Sequence, residues 1–198
     1  MAAAQATQIT INSMVPGRSE VFTINYKGQN STVYAGAQSV SVNGATPIAL
    51  YCVDLDHHNK FGDSYGVNIT GVNVLNNSTQ VSNLMTNFWS SIASSTDAAA
   101  FQLALWDSVV DGADGLSTGQ FKGININASI SAKVAQYQAA INQSGPEDLF
   151  IQVYQATNHG PANNIHQDLI GAEAVPEPTT IIALAGIATA FARRRKVA

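Results

Sequence analysis

The chain has 198 residues, of which 45% are hydrophobic and only 11% are charged, and its formal net charge is −4. This apolar content excludes a disordered chain, and the length suits one domain with its own core or two small ones. The mean hydropathy of +0.04 excludes a protein with several membrane spans. Residues 1–178 carry five basic and thirteen acidic side chains, which excludes nucleic acid as a partner because phosphate contacts need clustered Lys and Arg.

The first six residues are predicted to be the remnant of a signal peptide. Ala4-Gln5-Ala6 has the small-x-small pattern of a signal-peptide cleavage site. The apolar run before it is short and has no basic region. We therefore expect the native coding sequence to begin further upstream.

Short β-branched and aromatic runs, separated by turn residues, predict strands over the first part of the chain. The residues from 47 to 53 are apolar on both faces, which is typical of a central, buried strand. The turn at Asn43-Gly44 precedes that strand. The predicted strands cover residues 7–13, 20–26, 31–34, 39–42, 47–53 and 64–70.

The hydrophobic spacing becomes helical beyond residue 78. One helical stripe runs to residue 92, with Ser78 or Thr79 as the cap, and consists of Val81, Leu84, Met85, Phe88, Trp89 and Ile92. Further helices are predicted over 98–110, after a start signal at 94–97, and over 130–143, followed by strands over 148–156 and 167–171. The fold class is therefore α+β, with a β-rich sandwich- or barrel-like body over 7–172 and a helical insertion at about 78–143.

Two polar residues occupy apolar surroundings in these elements. Cys52 lies in the buried strand and is the only cysteine, which excludes an internal disulfide and a Cys-rich metal site. Gln102 shares a helix face with Leu105, Trp106 and Val109, where a buried amide costs about 1–3 kcal/mol unless it is hydrogen-bonded. By themselves these facts are consistent with a core thiol and a core glutamine.

The two local segments resemble the signature segments of bacterial thioester domains. They are Tyr51-Cys52-Val53-Asp54 and Phe101-Gln102-Leu103-Ala104-Leu105-Trp106. The resemblance implies an internal thioester between the Cys52 sulfur and the Gln102 side-chain carbonyl, and a supporting role for Tyr51, Asp54, Ala104 and Trp106. The chain departs from the pattern at Phe101, where many members have threonine.

A thioester implies an exported protein that attaches once, and covalently, to an amine or hydroxyl group of an unknown polysaccharide or protein target. Such a protein has no catalytic residues in the sense of turnover, is not an enzyme and needs no cofactor. The alternative is a passive exopolysaccharide-matrix or carbohydrate-binding protein in which Cys52 is inert. A cysteine hydrolase using Cys52 with His58 or His159 is the weakest reading, because no histidine has a dependable spacing.

The histidines do not form a clear motif. His57 and His58 follow Asp54, but His57 has the opposite strand parity to Cys52, so an extended chain would direct it away from the sulfur. No metal site is predicted. His159 and His166 lie in a loop rich in Gly, Pro and Asn and are expected to be exposed to solvent.

The C-terminal end has three parts in a fixed order. A linker at 173–178 contains Pro176-Glu177-Pro178, an uncharged segment covers 179–192, and Arg193, Arg194, Arg195 and Lys196 follow. As a helix the uncharged segment would span roughly 21 Å, at ~1.5 Å per residue, against about 30 Å for a bilayer core. We therefore predict a short transmembrane helix in the sorting segment 179–198, with the basic cluster on the cytoplasmic side.

This end resembles the PEP-CTERM sorting signal of Gram-negative bacteria. The resemblance implies processing by an exosortase, with transient residence in the inner membrane, followed by release to the cell surface or the extracellular matrix. It also implies a bacterium that produces exopolysaccharide, which suits a role in adhesion or biofilm formation.

Overall fold

The computed structural model describes residues 7–159 and 166–175. The predicted signal-peptide remnant, the Pro-Glu-Pro motif and the predicted transmembrane helix with its basic tail lie outside the described residues. Within the described ranges, no helix is both long and apolar enough to cross a membrane.

Seven antiparallel strands form the body of the protein. They are β1 (Thr7–Tyr26), β2 (Gln29–Val42), β3 (Ile48–Cys52), β4 (Ser64–Thr70), β5 (Phe121–Ile124), β6 (Leu149–Ala156) and β7 (Leu169–Ala174). The strand order is β2-β3-β7-β6-β4-β1-β5, and β2 also pairs with β1. This additional pairing closes six strands into a barrel with β5 attached to β1, which confirms the predicted barrel-like body.

The four short strands predicted before residue 43 are two long strands in the structure. Pro16 and Gly17 do not end β1, because a register shift between Met14 and Ser19 takes up the irregular residues and pairing with β2 resumes beyond it. Gly36 lies opposite this bend with a φ of +145°, and a Cβ there would lie 2.1 Å from the Arg18 carbonyl oxygen. The bend therefore depends on a residue without a side chain.

Three helices, α1 (Ser78–Phe88), α2 (Ser95–Asp111) and α3 (Ala128–Ala140), lie between β4 and β6 and form the predicted insertion. The side chain of Ser94 and that of Asp97 form a reciprocal capping box at the start of α2. The predicted helical run to residue 92 ends earlier, at Phe88, where a short 3₁₀ turn follows. The insertion also contains β5, whose four residues were too few to be predicted from a periodic pattern.

Helix α2 is the centre of the core. Every residue from 98 to 109 is buried, and the helix packs against β1, β2 and α3. The small residues Ala98, Ala99, Ala100 and Ala104 allow a close approach to the barrel wall. A polar side chain on this helix therefore has only protein groups as hydrogen-bonding partners.

The last strand differs from its predicted bounds. Strand β7 runs from Leu169 to Ala174 and pairs with β6 along its length, whereas the sequence predicted a strand over 167–171. The residues just after 171 extend the barrel because the first residues of β6 offer them hydrogen-bonding partners, which no local pattern shows.

Candidate functional site

The fold brings Cys52 and Gln102 into direct contact. Cys52 is the last residue of β3, and its backbone N–H donates a hydrogen bond of 3.1 Å to Oε1 of Gln102. Nε2 of Gln102 donates a bond of 2.7 Å to the carbonyl oxygen of Cys52. The two residues are only 3% and 1% exposed. Each polar atom of the carboxamide thus has a hydrogen-bonding partner on Cys52, and its carbonyl group is fixed against the cysteine.

The thiol of Cys52 faces the chain that follows it. Sγ donates to the backbone oxygen of Asp54 at 2.9 Å and accepts from the Asp54 N–H at 3.4 Å. Burial raises the pKa of Cys52 to about 12, although the hydrogen bond with the Asp54 backbone acts in the opposite direction. The sulfur is therefore a neutral thiol at physiological pH.

Aromatic side chains surround the pair on the helix side. The ring of Tyr51 contacts those of Phe101 and Trp89, with centroids 4.9 and 5.7 Å apart. Trp106 is 2% exposed and packs against Phe121. The predicted supporting residues Tyr51 and Trp106, together with the buried Ala104, contribute to an apolar wall next to the pair.

A cleft of about 560 Å³ reaches the same sulfur from the opposite side. Tyr26 and the ion pair between Lys27 and Asp56, with Nζ and Oδ1 2.9 Å apart, contribute to its walls. Among the other residues that line it are Cys52, Trp106, His57, His58, Tyr34 and Phe61. The cleft thus offers a group on another molecule a path to Cys52.

Asp54 connects the thiol to a histidine. Its Oδ2 lies 2.6 Å from Nδ1 of His57, and its Oδ1 accepts from the N–H of Asp56. The argument from strand parity does not apply to His57, because β3 ends at Cys52 and the chain then bends. Cys52 and His57 both line the cleft.

The two later histidines, which we expected to be exposed to solvent, also contact other rings. His159 is exposed as expected, but it stacks on His57 with centroids 4.5 Å apart and planes at 14°, and its Nε2 lies 2.9 Å from Oδ1 of Asp168. His166 is partly buried and stacks on Tyr65. No local pattern in the sequence indicates this cluster, since its two halves lie far apart in the chain and are joined by the pairing of β3 with β7 and by a hydrogen bond from the N–H of His166 to the carbonyl oxygen of His58.

Gln167 is a further residue near Cys52 that the sequence analysis did not identify as part of the site. Its Nε2 donates a hydrogen bond of 2.9 Å to the backbone oxygen of Asp54, the same oxygen that accepts from the Cys52 thiol. The residue therefore fixes the turn that orients the sulfur.

Two groups of side chains place possible metal-ligand atoms within 4.8 Å of one another: Asp54 with His57 and His159, and Asp107 with Asp111 and Asp114. In the first group each imidazole is hydrogen-bonded to a carboxylate and the rings are stacked face to face. In the second, Asp107 and Asp111 accept backbone N–H groups of the loop between α2 and β5. Both groups thus serve hydrogen bonding within the fold.

The C-terminal end of the chain carries a localisation signal. Residues 174–196 match the PEP-CTERM protein-sorting motif. The predicted sorting signal is thereby confirmed: the protein is exported across the inner membrane and sorted to the cell surface, and the motif implies processing by an exosortase. No curated protein matches the chain in sequence.

The fold is similar to solved bacterial surface domains at low sequence identity. One is the N-terminal thioester domain of a surface protein from Clostridium perfringens, in a cysteine-to-alanine mutant, with 10% identity, 69% of this chain and 89% of that chain covered, and a TM-score of 0.48. Another is the N-terminal domain of the Streptococcus pyogenes pilus tip adhesin Cpa, with 13% identity, 84% and 99% covered, and a TM-score of 0.46. A third is the N-terminal thioester domain of the fibronectin-binding protein SfbI from Streptococcus pyogenes, with 14% identity, 84% and 98% covered, and a TM-score of 0.45.

Proposed function

We propose that this surface protein attaches covalently to an amine or hydroxyl group of its target through an internal thioester between Cys52 and Gln102. The observation that carries the proposal is the two-point contact between the Gln102 carboxamide and the Cys52 backbone, buried beside a thiol that lies at the end of an open cleft. The resemblance of the two sequence segments to thioester domains supports the same pair.

The contact favours thioester formation for a geometric reason. The Gln102 carbonyl carbon lies about 1.2 Å from Oε1, and Oε1 is hydrogen-bonded to the N–H of Cys52 itself. A rotation of the Cys52 side chain away from Asp54 therefore directs the sulfur towards this carbon. Fixed proximity of this kind replaces a bimolecular collision and can supply a large effective concentration.

The atoms of the step balance. The sulfur bonds to the Gln102 carbonyl carbon, the carbon–nitrogen bond breaks, and the thiol proton leaves with the nitrogen as ammonia. Negative charge that develops on Oε1 is stabilised by the backbone N–H of Cys52, 3.1 Å away. The apolar wall formed with Tyr51 and Trp106 protects the product from hydrolysis.

Attachment reverses the roles of the two side chains. An incoming amine or hydroxyl group attacks the former Gln102 carbonyl carbon, the carbon–sulfur bond breaks, and Cys52 is released as a thiol. The target stays bound to Gln102 as an amide or an ester. Because the thioester is consumed, each molecule reacts once and the protein is not a turnover enzyme.

The test is the intact mass of the folded protein. We expect the wild type to be lighter than its sequence by one ammonia and to gain the mass of methylamine after treatment with it. Cys52→Ala and Gln102→Ala should lose both signals. Gln38→Ala is the matched control, since Gln38 is also buried and lines the same cleft but does not contact Cys52. A folded wild type of unmodified mass would contradict the proposal.

A passive binding protein is the second candidate, and one observation favours it. The Gln102 carboxamide and the Cys52 thiol are both fully hydrogen-bonded without any covalent bond between them, as expected of a structural core pair. The cleft would then bind its target reversibly. In that case Cys52→Ala would retain binding to the target, and the wild-type mass would equal that of the sequence.

A further inference from the structure

We propose that the thioester is opened by a hydroxyl group of a saccharide or other polyol, and that His57, oriented by Asp54, is the base that removes the hydroxyl proton. This inference rests on the function proposed above and names the chemical class of the target. It also assigns a role to the Asp54–His57 pair, which the proposed formation of the thioester does not use.

The first observation is that Asp54 is hydrogen-bonded to both the Cys52 thiol and the His57 ring. Its backbone oxygen accepts from the Cys52 thiol at 2.9 Å, and its carboxylate Oδ2 lies 2.6 Å from Nδ1 of His57. A carboxylate at Nδ1 favours the tautomer in which that nitrogen carries the proton, so Nε2 is left as a base. Nε2 of His57 has no hydrogen-bonding partner within the described ranges, and the ring lines the cleft that leads to Cys52.

The second observation is that the ring is fixed in place. His159 stacks on the face of His57 and is itself held by Asp168. The side chain of His57 is 19% exposed, so it can be reached from the cleft without being free to rotate. A general base has to be positioned in this way to act on a bound group.

The third observation concerns the walls of the cleft. Tyr34 and Phe61 are both more than half exposed and lie against each other, with ring centroids 6.4 Å apart. Gln38 and Asn59 add a hydrogen-bonded pair of amides. Exposed aromatic faces beside amide donors and acceptors suit a ring that carries hydroxyl groups.

The charged side chains that line the cleft do not favour a cationic target. Lys27 and Asp56 line the cleft and neutralise each other in an ion pair. Among the described residues that line it, the cleft therefore presents no unpaired carboxylate that would select a lysine ammonium group, whereas an uncharged polyol needs none.

A base matters more for a hydroxyl than for an amine. A neutral amine attacks a thioester with its own lone pair, whereas a hydroxyl group is a weak nucleophile until an adjacent base takes its proton. General acid–base assistance typically contributes about 10²–10⁴-fold. A positioned imidazole in this cleft therefore selects for hydroxyl targets.

The proposed step is balanced in protons and bonds. Nε2 of His57 takes the hydroxyl proton while the oxygen bonds to the Gln102 carbonyl carbon. The carbon–sulfur bond then breaks, and His57 returns the proton to the sulfur, so that an ester at Gln102 and a neutral Cys52 thiol are formed. The return of the proton is needed because burial raises the pKa of Cys52 to about 12, which makes an unprotonated sulfur a poor leaving group.

The experiment compares two probes, glycerol as a hydroxyl and methylamine as an amine. The rate at which each adds to the full protein is measured by intact mass and expressed per molecule that carries the thioester. We expect His57→Gln to slow glycerol addition by about 100-fold and to leave methylamine addition within about 3-fold. Asp54→Asn, which removes the carboxylate that orients His57, should move the ratio of the two rates in the same direction. His58→Gln is the matched control, because His58 is the neighbouring histidine in the cleft, and it should leave the ratio unchanged.

The outcomes separate the two proposals. A wild type without the thioester would remove the proposed function and this inference together. A wild type that carries the thioester, beside a His57→Gln variant with an unchanged ratio of rates, would overturn the inference alone. The inference would also be overturned if His58→Gln lost glycerol addition instead, or if His57→Gln failed to form the thioester, since His57 would then act at formation rather than at transfer.

Discussion

At the scale of single residues, the site is a strand end held against a buried helix. The polar groups of Gln102 and the backbone of Cys52 satisfy each other, which removes the penalty expected for an amide in an apolar helix face. Phe101, where the chain departs from the thioester-domain pattern, fills the space against Tyr51. The departure is thus accommodated by packing and leaves the contact between Cys52 and Gln102 in place.

The chemical state of the free thiol gives a prediction at this scale. In Gln102→Ala, which cannot form the thioester, we expect iodoacetamide to modify Cys52 in the native state at pH 8 about a hundred- to a thousand-fold more slowly than in urea. Burial raises the pKa of Cys52 from its ordinary value of 9.0 to about 12, and each pKa unit reduces the thiolate fraction by about tenfold. Mass spectrometry over time measures both rates, and equal rates would show that the thiol is exposed.

At the scale of elements, the barrel depends on a bend shared by β1 and β2. Strand β1 pairs with β2 along one edge, and with β4 and then β5 along the other. The register shift between Met14 and Ser19 changes the direction of β1 between its pairings with β4 and β5. Gly36 on β2 lies opposite this bend, where a side chain would collide with the backbone of β1. The bend contributes to the shape of the cleft, since residues from both β1 and β2 line its walls.

Replacement of Gly36 tests this account. We expect Gly36→Ala to lower the free energy of unfolding by more than about 2 kcal/mol, because a Cβ would meet backbone of Arg18 at 2.1 Å and the φ is +145°. Gly28→Ala is the control: its φ is also positive, at +82°, but no atom lies within 4 Å of the added carbon. Urea denaturation measures both variants, and equal losses would mean that backbone strain alone, without the close contact, accounts for the effect.

At the scale of the whole molecule, Asp107 joins three elements. It lies on α2, accepts the N–H of Gly115 in the following loop and is hydrogen-bonded to Gln138 on α3. Burial raises its pKa to about 6, against 3.8 for the unperturbed group. Its second oxygen, Oδ1, is buried without a partner, as expected where the protonated carboxyl is preferred.

This carboxyl predicts how the stability of the protein depends on pH. Between about pH 4 and pH 6 the folded state binds a proton at Asp107 that the unfolded state has released, so the free energy of unfolding should decrease as pH rises through this window. The change is about 1.4 kcal/mol for each unit of pKa difference. Asp107→Asn should lack this component and be relatively more stable above pH 6. Urea titrations at several pH values provide the measurement, and identical pH profiles would contradict it.

The sequence by itself determined the identities and the approximate elements of the site. Cys52 and Gln102 were singled out by the resemblance of their two local segments to thioester domains. The apolar periodic patterns around them, which are a local property of the chain, placed one residue in a buried strand and the other on a helix face. The same locality made the helix α2 and the sorting motif at 174–196 predictable.

The tertiary structure alone decided what surrounds the pair. The four predicted strands became two because pairing with a partner overrides the turn residues at 16–17. The contact of His57 with Asp54 arises from the bend after β3, and the stack of His57 on His159 depends on β3 pairing with β7. These relations join residues across a chain bend or about 100 positions apart, where no repeating pattern in the sequence records which side chains will meet.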